Sequence, residues 1–106
     1  MQAKTRRRRC DVNHAIYCIT NTITGEQYVG ITACGGQVRR SLHVRMQKHL
    51  RRALTEQHNW ALCNSLRTHG PAVHTYGLLE IVRGRALAHQ RERELIGIHG
   101  PALNTA

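Results

Sequence analysis

The chain has no phenylalanine, one tryptophan and three tyrosines among 106 residues. With aromatics at 4%, its core must rest on Leu, Ile, Val and Ala. Acids are nearly as scarce, six Asp and Glu against sixteen Lys and Arg. A site with two metals about 4 Å apart draws on several converging carboxylates, and so few acids do not easily supply one. No apolar run reaches the roughly 18 residues of a membrane helix, and no apolar segment follows the N-terminal arginines. These two absences argue against a membrane span and a secretory signal. Cys10, Cys18, Cys34 and Cys63 form no Cys-x-x-Cys pair and show no zinc-finger spacing. They read as small buried hydrophobes in a reducing cytoplasm. The only two prolines follow glycines, in Gly70-Pro71 and Gly100-Pro101, where each stops a helix.

What the chain does have is positive charge. The formal net charge is +10, and residues 1–10 hold five basic and no acidic side chains, so +10 less 5 leaves +5 on the rest. A body this basic calls for a polyanionic partner. Nucleic acid fits better than membrane, because no long basic amphipathic helix with bulky apolar anchors is present. Residues 1–11, with Arg6, Arg7, Arg8 and Arg9, read as a disordered, solvated arm able to touch phosphates. Residues 12–106 suffice for one domain with a modest core.

Ala15 to Gly30, AIYCITNTITGEQYVG, is the stretch around which the chain is organised. Two short runs rich in β-branched residues, 16–20 and 28–32, flank a polar link and predict a β-hairpin. A turn centred on Ile23-Thr24 sets Tyr28 opposite Ile19 and diagonal to Tyr17, so both phenols share a face. A one-residue slip would separate them. On their own, two tyrosines in a hairpin are explained by packing.

A helix is expected over 38–55, burying Leu42, Met46, Leu50, Ala53 and Leu54. Arg45, His49 and Arg52 share another of its faces, which in isolation reads as a solvated basic surface. A second helix should start near His58 or Asn59 with Asn59 as N-cap, and bury Leu62 and Leu66. Trp60, at its opening, is expected to pack rather than to stack on bases. A third strand over 73–82 and a last helix over 85–99 complete the order β-β-α-α-β-α. That order predicts an α+β fold, a small three-stranded antiparallel or mixed sheet flanked by helices in a sandwich.

Taken together, these residues resemble the GIY-YIG nucleases over nearly all of 14–106. Ala15-Ile16-Tyr17 stands for the first motif, with alanine in place of the usual glycine, and Tyr28-Val29-Gly30 for the second. Arg45-Met46-Gln47-Lys48-His49 supplies the family's Arg-x-x-x-His, and His58 lies where intron-encoded members also carry histidine. His69-Gly70 matches the end of their next helix. Glu92, followed by Leu95 and Ile96, fits the metal-binding glutamate, whereas Glu94 lacks that pattern. Asn104 falls where the family ends its domain with asparagine. The stretch from Cys34 to Arg40 is longer than in the short intron-encoded members.

The resemblance implies a DNA endonuclease using one Mg²⁺ or Mn²⁺ per active site, held on Glu92. It puts Tyr17 beside the attacking water as direct or relayed base, with His49 taking the proton. Arg45 and the ion would favour the phenolate, since a free phenol with a pKa of about 10 is a poor base at neutral pH. Arg45 would hold a non-bridging oxygen, Tyr28 and His58 would position phosphate or water, and Asn104 would support the site. Family members of several kinds attach a separate DNA-reading domain; this chain is expected to be the nuclease domain alone. DNA binding then falls to Arg39, Arg40, Lys48, Arg51 and Arg52 with the arginine arm. The implied setting is a homing-type or phage-encoded enzyme in the cytoplasm of a bacterial or phage-infected cell, at the nucleoid. A structure-specific repair or recombination nuclease and a non-catalytic basic nucleic-acid binder are the alternatives. Nicking, double-strand cutting by a homodimer, and specificity from a separate partner all stay open.

The arm yields a first prediction. Each phosphate neutralised adds about 0.9 to the slope of log affinity against log salt, so an arm on three or four phosphates contributes about three units. Deleting residues 1–9 should flatten that slope while leaving the single-turnover rate on saturating DNA nearly unchanged. An unaltered slope contradicts the assignment.

Overall fold

The computed structural model describes residues 12–104, so the arm and Cys10 lie outside the described residues. The hairpin forms with the expected register. Asn21 turns the chain: its Oδ1 accepts the Ile23 and Thr24 N–H groups at 2.9 and 3.3 Å. Gly25 closes the turn at φ 79°, a left-handed conformation that costs glycine little. β1 (Asn13–Asn21) then pairs antiparallel with β2 (Gln27–Ala33), with Ile19 opposite Tyr28 and Tyr17 opposite Gly30. β3 (His74–Arg83) runs antiparallel along the other side of β1, so the sheet order is β2-β1-β3 and no pair is parallel. The 3₁₀ turn Pro71–Val73 delays β3 by one residue from its expected start.

The central strand is covered on both faces, and its near-continuous apolar sequence reflects that. Ala15, Tyr17 and Ile19 face α1 (Val38–Leu54) and α2 (Ala61–His69). Ile16 and Val29 face the opposite layer, α3 (Arg85–His99), through Leu95 and Ile96. The α1–α2 layer lies over β1 and β2, leaving Tyr76, Leu78 and Ile81 of β3 well exposed. Cys18, Cys34 and Cys63 are buried free thiols.

Three local expectations need correction. The buried stripe of α1 is Leu42, Met46, His49 and Ala53, with Leu50 only partly buried and Leu54 half exposed. At 100° per residue the helix is rotated by roughly 40° from the apolar consensus, which turns His49 inward. That rotation also overrides the solvated-face reading for His49. Secondly, α2 begins at Ala61 with Trp60 at the N-cap, and no side chain caps it. The Asn59 side-chain Oδ1 instead accepts from Asn64 Nδ2 at 3.1 Å. Thirdly, Trp60 is not packed away but 40% exposed.

A buried polar chain ties the layers together beyond the sheet. Asn21 Nδ2 donates to Ser65 Oγ at 2.8 Å, and Ser65 Oγ lies 2.8 Å from His74 Nε2. His74 Nδ1 is 2.7 Å from the Gly70 carbonyl and so carries the proton, making Nε2 the acceptor of the Ser65 hydroxyl. Removing one member of such a chain leaves its neighbours desolvated and unpaired. Ser65→Ala should therefore cost about 1–3 kcal/mol, seen as a melting temperature lower by at least about 4 °C. A variant melting with the parent would show the chain to be energetically idle.

Candidate active site

Gly30 makes room for the tyrosine pair. A Cβ on it would stand 2.5 Å from the Tyr17 hydroxyl and 2.7 Å from Tyr28 Cε2, so both rings occupy the space a side chain would take. The ring centroids lie 6.2 Å apart, and the His49 ring sits 5.2 Å from Tyr28 in an edge-on contact. His49 Nε2 is 2.8 Å from the Tyr17 hydroxyl. Tyr17 and His49 are almost wholly buried, while Tyr28 keeps partial access to solvent.

Burial decides the charge state of this cluster. Desolvation drives the Tyr17 hydroxyl well above the ordinary phenol range, and the Tyr28 phenol adds to the rise. Arg45 pulls the other way and is outweighed, so Arg45 without the ion leaves the phenol protonated. Tyr28 is raised too, again chiefly by burial. His49 is pushed down to about 4, by burial first and then by Arg45 and Arg52. Phenol and imidazole are thus both neutral at pH 7, with one proton shared along their contact. His49 Nδ1 is buried and without a partner among the described residues.

Arg45 and Glu92 complete the cluster from two different helices. Arg45 projects from α1, its Nη2 3.5 Å from Thr32 Oγ1 on β2. Glu92 comes from α3, its side chain 18% exposed and its Oε1 3.4 Å from His89 Nδ1. Both charges act electrostatically on both phenols. Glu94, two residues on, turns to Arg91 at 2.9 Å, as the helix geometry requires. A groove of about 510 Å³ runs past the end of β2 from α1 to α3, with Arg45, Lys48, Arg85, His89 and His14 in its walls.

Arg85, His89 and His14 did not emerge from the sequence. A signal existed: Arg85, His89 and Glu92 fall at i, i+4 and i+7 on α3, the spacing that joins Arg45, His49 and Arg52 on α1. The Asn104 amide clamps the backbone of Val29, its Oδ1 accepting from the N–H and its Nδ2 donating to the carbonyl, both at 2.8 Å. It therefore steadies the residue between Tyr28 and Gly30 rather than touching Tyr17. His58 stands apart from the Tyr17–Glu92 cluster, on the α1–α2 link, 2.9 Å from Glu56 and stacked on Trp60. Arg40 and Lys48 line a smaller recess along α1, and Arg39 and Arg51 are exposed on the same helix.

No family model matches the chain, and no curated protein does. Two solved structures do. One is described as the catalytic domain of homing endonuclease I-TevI: it is 23% identical, with a TM-score of 0.68, over 87% of this chain and 94% of that one. The other, a glutamate-to-alanine mutant of the catalytic domain of intron endonuclease I-TevI, is 21% identical with a TM-score of 0.69, over 90% and 93%. I-TevI is a GIY-YIG homing endonuclease, so the fold implied by the sequence resemblance is the fold found.

His49 provides a pH test. Its folded value of about 4 lies below the ordinary 6.5. Between those values the unfolded chain binds a proton that the native state refuses, so stability falls as pH drops through this window and is untouched by His49 above it. His49→Gln should lose less stability than the parent between pH 6.5 and 4 in urea titrations. Parallel curves would mean that His49 ionises freely.

Proposed function

We propose that this protein is a homing-type DNA endonuclease that hydrolyses phosphodiester bonds with one Mg²⁺ or Mn²⁺ per site. The observation that carries the proposal is the Tyr17–His49 contact, with Arg45 and Glu92 acting on the Tyr17 phenol and Arg45 also lining a basic groove. Fold likeness to the I-TevI catalytic domain supports it. Among the described residues no three His, Cys, Asp or Glu side chains gather. Glu92 would bring one carboxylate to the ion, with waters and substrate oxygens filling the other positions, an oxygen donor set that suits Mg²⁺. When bound there, the ion supplies positive charge to the phosphoryl and leaving oxygens.

The chain's own groups do the rest. Arg45, Lys48 and Arg85 draw the DNA backbone into the groove, and the forked guanidinium of Arg45 holds a non-bridging oxygen. Tyr17 acts as a relay, because a phenol that keeps its proton this firmly is a poor base by itself. Its oxygen takes a proton from the attacking water as its own proton passes to His49. Burial, and after it Arg45 and Arg52, keeps His49 weakly basic in the free protein, and an incoming phosphate offsets the part that the two arginines contribute. Water adds to phosphorus, the bond to the 3′ oxygen breaks, and that oxygen leaves with a proton from solvent.

Supercoiled plasmid provides the assay. Glu92→Gln should lose Mg²⁺-dependent cleavage and keep DNA binding, while Glu94→Gln, committed to Arg91, should change little. Tyr17→Phe keeps the ring and should lose about 10²-fold in rate, and Arg45→Lys should lose most activity. Cleavage by Glu92→Gln at the parent rate would overturn the assignment.

A further inference from the structure

A second pocket, of about 190 Å³, opens beside Tyr28. Leu62 and Leu103 give it an apolar floor, Trp60 and Arg52 wall it, and Tyr28 and His49 join it to the tyrosine pair. The phosphate-facing groove is lined by cations; this pocket offers apolar and aromatic surface with a single guanidinium. Trp60 is the only tryptophan in the chain, yet it is left 40% exposed at the start of a helix. Its indole stacks on His58, centroids 4.7 Å apart at 20°, and the Arg52 guanidinium carbon lies 5.5 Å from the ring centre. A cation and stacked rings along a basic surface are what single-stranded nucleic-acid sites are built from. Another pocket residue, His49, keeps its Nδ1 buried and unpartnered among the described residues.

We propose that this pocket takes one unpaired nucleobase of the DNA substrate, stacked against Trp60 beside the strand to be cut. The proposal rests on the nuclease function above and narrows its substrate. Tyr28 belongs to both the pocket and the catalytic cluster, so a base seated here lies within about one nucleotide of the scissile phosphate. In an intact duplex the base must first leave its stack, at a cost that is lowest where it is already unpaired. The enzyme is therefore best matched to DNA with an unpaired nucleotide at the cut, such as a bulge, flap or branch.

The test uses the full chain carrying Glu92→Gln, without metal, so that no DNA is cut. Three duplexes of one sequence are compared: fully paired, with one extra unpaired adenine, and with an abasic residue in place of that adenine. Label anisotropy reads binding, and the fluorescence of the lone tryptophan reads the pocket. The adenine duplex should quench Trp60 and bind about tenfold tighter than the abasic duplex, a typical worth of one base–aromatic stack. The abasic duplex should bind without quenching. Trp60→Ala should erase the preference and Trp60→Phe, which keeps a ring and guards against a folding defect, should retain part of it. Equal quenching by adenine and abasic duplexes, or a preference that survives in Trp60→Ala, overturns the base pocket while leaving the nuclease assignment intact. Failure of all three duplexes to bind overturns both.

Discussion

Tyr17 stands opposite Gly30 across the β1–β2 ladder, and the two phenol rings fill the place where any other residue would carry its side chain. The site follows from this steric vacancy. It lets Tyr17 lie flat enough to be buried and to meet His49, and it brings Tyr28 alongside from the same strand as Gly30. The Asn104 amide then holds Val29 by both backbone groups, in the middle of the Tyr28-Val29-Gly30 motif. A motif of three residues is thus fixed by a close approach on one face and by a hydrogen-bonded clamp along the strand edge.

At Tyr17 burial and the Arg45 charge oppose each other and burial wins, whereas at His49 burial and the Arg45 and Arg52 charges act together against the imidazolium. With six acids in the chain, cations have few internal partners, and Arg45 and Arg52 add to the burial that depresses His49. The imbalance that attracts a polyanion therefore also contributes to the charge state of the site. The few acids that exist are spent carefully: Glu80 and Glu94 pair with Arg91, while Glu92 meets His89, which lines the groove.

Strand and helix order, the hairpin register and the bounds of α3 were legible because each rests on local chemistry. Asn21 and Gly25 impose the turn, and Gly100 stops α3 in the left-handed conformation at φ 55°. Positions read from hydrophobicity alone fared worse at element ends. Leu54 sits in the last turn of α1, where apolar character invited a buried placement that the rotated helix does not grant. Asn59 has the chemistry of an N-cap but finds Asn64 as a partner, so the helix opens at Trp60 instead.

By itself the sequence determined the alternation that puts both tyrosines on one face, the basic surface, and the α-helical spacing that aligns Arg45 with His49. Those properties depend on neighbours within a turn or a strand pair, where geometry is nearly invariant. Only the tertiary structure decided that α1 turns His49 inward, that Arg85 and His89 share a groove with Arg45, and that Trp60 stays exposed beside Tyr28. These depend on how three layers seat against one another, and a rotation of a few tens of degrees exchanges buried for exposed positions without altering any local pattern.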